Sequence, residues 1–108
     1  MNSLFNKFEN GFNHPYRTIS EKEALQTACQ AVGVFANPNS PQYVREMAMY
    51  DAGRNVGAIQ DPDVSYQIES ILKKCSKLRS GETVALSWEE KSFIKAGVEG
   101  TLFRPFYE

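Results

Sequence analysis

The chain has 108 residues, a mass of 12.2 kDa and a formal net charge of −1, with 42% apolar and 23% charged residues. This is the size and composition of one globular domain spanning residues 1–108, too apolar for a disordered chain. A pI near 5.9 argues against binding nucleic acid by general charge, and no apolar run approaches the ~20 residues that cross a bilayer.

The first segment, Asn2 to Phe12, places Leu4, Phe5, Phe8 and Phe12 at helical spacing. It reads as a short amphipathic helix that ends near Gly11, because Pro15 disfavours helical backbone at His14. No charged leader precedes an apolar run here, so a secretory signal is not expected. The second segment opens at Ser20. With Glu23 it forms a capping box, in which each side chain bonds the other residue's backbone N–H. Leu25, Ala28, Cys29 and Val32 follow the i, i+3, i+4, i+7 pattern, so a helix is expected from Glu21 to Phe35. Residues 37–40, Asn-Pro-Asn-Ser, then form a loop.

A third helix is expected with Ser40 as N-cap and Pro41 in its first position, where a missing N–H costs nothing. Val44, Met47, Ala48, Ala52, Val56 and Ile59 offer it a broad apolar face. Gly53 and Gly57, four apart, permit another helix to approach closely and suggest a break near Gly57. Asp61 and Pro62 repeat the start signal. The stripe Val64, Ile68, Ile71, Leu72, Cys75 and Leu78 follows, with Lys73, Lys74, Lys77 and Arg79 in the last turns and a stop at Ser80–Gly81. Thr83 to Leu86 reads as a brief extended stretch. Ser87 and Glu90 form a second capping box, opening a helix with Trp88, Phe93, Ile94 and Val98 as its apolar residues and Gly97 and Gly100 near its end. Pro105 keeps the aromatic tail extended. The expected fold is all-α: a compact bundle of four to five short helices with an extended aromatic C-terminal tail.

Cys29 and Cys75 form no CxxC pair and lie far in sequence from His14, the single histidine, so no zinc site is expected. Both fall on apolar helix faces, where a free thiol behaves as a small hydrophobe. One disulfide between them is the alternative reading; a reduced pair in a cytoplasmic protein is the expectation. No Walker loop, GxGxxG, HExxH or GxSxG occurs, so neither enzymatic activity nor a cofactor is expected.

Two groups of residues remain as candidate sites. Phe5, Phe8, Phe103, Arg104, Phe106 and Tyr107 gather aromatics and an arginine at the two ends of the sequence. These residue types anchor interfaces. The leading expectation is therefore a small interaction module, such as a regulator, inhibitor, immunity protein or assembly subunit, that binds a protein partner or itself through these segments. Alternatively, Tyr50, Asp51, Arg54 and Asn55, with Arg45, line a polar pocket on the third helix for a small anionic ligand, and Lys73 to Arg79 add positive charge. Asp51 also reads as a boundary acid that pairs with Arg54 or caps a neighbouring helix.

Overall fold

Three helices of the computed structural model, which describes residues 3–79 and 81–102, start at a side-chain cap. The Ser20 hydroxyl accepts from the Glu23 N–H at 3.1 Å and opens α2, Glu21–Phe35. The Asp61 carboxylate accepts from the Asp63 and Val64 N–H groups and opens α4, Pro62–Ser76. At α5, Trp88–Glu99, the capping box is complete: Ser87 accepts from the Glu90 N–H while the Glu90 carboxylate accepts from the Ser87 N–H. The remaining helices are α1, Ser3–Phe12, and α3, Gln42–Val56. Among the described residues there is no strand, and 67 of them lie in the five helices. The tail 103–108 lies outside the described residues.

Four local expectations are corrected. Ser40 does not cap α3; its hydroxyl donates to the Val34 carbonyl at 2.7 Å and closes the end of α2, so Pro41 takes the N-cap position without a side-chain bond. Helix α4 ends at Ser76 rather than near Ser80, with Lys77 as its C-cap. Gly97 does not end α5. It is buried within the helix, where a Cβ would collide with Cys29 Sγ, and the stop falls to Gly100 at φ 77°. Trp88, in the first turn of α5, is 77% exposed and adds nothing to the core.

The core is one cluster. Leu4 and Phe8 of α1, Leu25, Ala28, Cys29 and Phe35 of α2, Met49, Ala52 and Val56 of α3, Ile68, Ile71, Leu72 and Cys75 of α4, and Phe93 of α5 meet in it. On α3 the inward arc is Arg45, Met49, Ala52, Gly53, Asn55 and Val56. Met47 stands about 200° around the helix from Met49 and is 68% exposed, the reverse of its expected place.

Helix α1 crosses α3 at backbone distance. A Cβ on Gly53 would strike the Phe8 carbonyl oxygen, and one on Gly11 would strike that of Tyr50. The small-residue face expected at Gly53 and Gly57 thus receives α1. This contact fixes the face described next.

Candidate interaction site on the first and third helices

Three large side chains project from α3 on one side of the molecule: Tyr43 at 66% exposed, Met47 at 68% and Tyr50 at 37%. Their spacing of four and then three residues sets them on one stripe. Together with Glu46 and Asp51 of α3 and with Lys7 and Asn10 of α1, they line a shallow groove of about 520 Å³. The groove exists because the glycine contact brings the two helix backbones together and leaves their larger residues to form its walls.

A polar corner adjoins the groove at Asp51. The Tyr16 hydroxyl donates to Asp51 Oδ1, and the Asn55 Nδ2 group donates to the Asp51 carbonyl at 2.9 Å and to its carboxylate at 3.2 Å. Arg54 stacks 4.0 Å from the Tyr16 ring centre and donates from Nε to the His14 carbonyl at 2.8 Å. Asp51, accepting the phenolic proton, pushes the Tyr16 pKa up, with burial adding to the effect. Asp51 therefore bonds Tyr16 and Asn55 and helps lash the connection between α1 and α2 to α3.

Arg45 does not join this corner. It is 1% exposed and donates to the carbonyls of Arg79 at 3.4 Å, Asn37 at 3.3 Å and Glu82 at 3.0 Å, with its guanidinium 5.5 Å from the Phe35 ring centre. The expected ligand group is thus divided: Tyr50, Asp51 and Arg54 reach the surface, whereas Asn55 and Arg45, each 1% exposed, are held inside the fold. Lys73 pairs with Glu69 at 3.7 Å and Lys74 with Glu90 at 2.8 Å.

Of the aromatic candidates in the sequence, Phe8 is a core residue at 3% exposed, which removes it as a partner contact. Phe5 is half-buried, stacked on Phe8 at 6.5 Å and lying 5.9 Å beneath the Lys73 ammonium. Phe103, Arg104, Phe106 and Tyr107 lie outside the described residues.

Tyr43 and Met47 were not expected at a site. Their signal is present in the sequence as Tyr43, Met47 and Tyr50 at helical spacing, but Met47 also fits an apolar stripe with Val44 and Ala48. Tyr16 gave no signal, because its partner is 35 residues away.

Among the described residues no group of three or more His, Cys, Asp or Glu is placed to hold a metal ion, and no helix is long and apolar enough to cross a membrane. No protein-family model, curated protein or solved structure matches this chain.

Proposed function

We propose that this chain is a small protein-interaction module, acting as a regulator, inhibitor, immunity protein or assembly subunit, that holds a protein partner against the α1/α3 face. The observation that carries the proposal is the outward stripe of Tyr43, Met47 and Tyr50 along the groove. Exposed apolar residues gathered in one place and rimmed by polar groups are the usual mark of a docking surface. Tyrosine supplies large contact area with few rotatable bonds, and methionine adapts its shape to what it meets. The aromatic segment 103–107 keeps a part in the proposal on its composition alone.

A photo-crosslinking residue at position 47, introduced in the cells that make the protein, is expected to trap a defined protein product. The same residue at Lys91, an exposed position on α5, is expected to trap none. Identical behaviour at the two positions would remove the assignment of this face.

A further inference from the structure

We infer that the occupant of the α1/α3 face is a second copy of this chain, related by a two-fold axis that passes beside Met47. The inference rests on the interaction reading above and names its partner.

The stripe is nearly symmetric about its centre. Tyr43 lies four residues before Met47 and Tyr50 three after it, so two α3 helices packed antiparallel set each Tyr43 against Tyr50 of the other copy and Met47 against Met47. A closed two-fold contact requires this kind of patch, which must be complementary to itself.

The charges at the rim point the same way. Lys7, on the α1 wall, and Glu46, on the α3 wall, form no salt bridge with any described residue. Two opposite charges on one patch become two crosswise pairs when the patch meets its own image, Lys7 of each copy facing Glu46 of the other. Asp51, already bonded by Tyr16 and Asn55, is not needed for the seam. A stable dimer covers roughly 800 Å² on each partner, more than three side chains supply, so the α1 wall must join the contact. Lys7 and Asn10 stand there. A net charge of −1 leaves little overall repulsion between copies.

Light scattering behind size exclusion, run over a range of concentrations, is the test. The wild-type chain should show a particle of twice its 12.2 kDa mass. Met47→Glu and Tyr43→Ala, both at exposed positions, should keep the helical circular dichroism and melting temperature yet raise the dissociation constant by about tenfold or more. Lys7→Glu and Glu46→Lys should each weaken the dimer, and the double variant Lys7→Glu/Glu46→Lys should restore it, because the swap re-forms both pairs. Three results would overturn the inference: a monomer at every concentration, a dimer that survives Met47→Glu, or charge swaps that fail to rescue. A monomer that still crosslinks another protein at position 47 sinks the second copy and leaves the interaction reading standing. A monomer that crosslinks nothing there sinks both.

Discussion

Arg45 is a cation held in the interior by carbonyl oxygens instead of a carboxylate. Its two terminal nitrogens reach Asn37 in one connection and Arg79 and Glu82 in another, while Nε finds no acceptor among the described residues. Only a planar fork spans those acceptors at once. Arg45→Ala is expected to cost about 2–4 kcal/mol, the sum of a cavity and three carbonyls stripped of their donor. Arg45→Lys keeps the charge yet loses the fork, and a loss above about 1 kcal/mol is expected. Denaturant melts that place Arg45→Lys level with wild type would show that charge alone suffices. The two thiols behave in the opposite manner, as buried hydrophobes. Burial pushes Cys29 and Cys75 up to about 12, above their ordinary value of 9.0. At Cys75 nearby Arg45 pulls weakly the other way. Because the folded thiols hold their protons longer than the unfolded ones, their contribution to stability is complete below about pH 9 and is lost as pH rises toward 12. Native protein should therefore label slowly with a thiol reagent at pH values of about 8 and about 10 alike, while urea-unfolded chain labels fast and faster at the higher pH. Rapid labelling of native protein would place a thiol outside the core.

At the scale of whole helices, the glycines separate into two kinds with opposite consequences. Gly53 lies against the Phe8 carbonyl of α1, so Gly53→Ala forces α1 and α3 apart; about 2 kcal/mol or more should be lost. Gly33, in the exposed last turns of α2, has nothing within 4 Å of an added Cβ. Gly33→Ala should raise stability by about 0.4–1 kcal/mol, by restricting the unfolded chain and favouring the helix. Thermal or denaturant unfolding of both variants checks the pair, and equal effects would show that the close crossing does not exist in solution. At α5, Ser87→Ala should cost about 0.5–2 kcal/mol, because it breaks the complete capping box. Lys74, as a hydrogen-bond donor, together with the Ser87 N–H, holds Glu90 below its usual pKa of 4.5. That support is present above about pH 4.5 and fades as the carboxylate is protonated. These local signals are what made the helices legible: Ser20, Asp61 and Ser87 mark their helices correctly because a cap is chemistry within four residues. Ser40 misled by one residue: its hydroxyl serves the other helix, donating to Val34 six residues back, and α3 starts only after Pro41. Met47 and Trp88 misled because apolar character names a residue's affinity, and the packing of neighbouring helices decides whether it is met.

Over the whole molecule the burden of packing is uneven. Helix α2 buries six of its residues, while α5 buries only Phe93 and Gly97, packing chiefly on α2. Opening α5 therefore uncovers little apolar surface, and its amides should exchange with solvent well before those of α2 and α3. Native-state hydrogen exchange reads this directly; protection of α5 equal to that of α2 would mean a single cooperative unit. The all-α class was legible because five apolar stripes at helical period can be buried only against one another. The interaction face was not, since Tyr43, Met47 and Tyr50 belong to the same residue types that build the core. Arg45 reads as a ligand contact for the converse reason: nothing local marks a charged residue as interior until its carbonyl partners, up to 37 residues away, are in place.

The glycine crossing also sets a schedule for the growing chain. Gly11 and Gly53 are 42 positions apart, so α1 leaves the ribosome well before the helix that receives it. At roughly 5–20 residues per second that interval is a few seconds. A ten-residue helix has little stability alone in water, so during synthesis Leu4 and Phe8 wait uncovered on a segment still searching for shape. The groove between α1 and α3 therefore cannot form before Val56 has been added, and a partner that needs it has nothing to bind until α3 has been made.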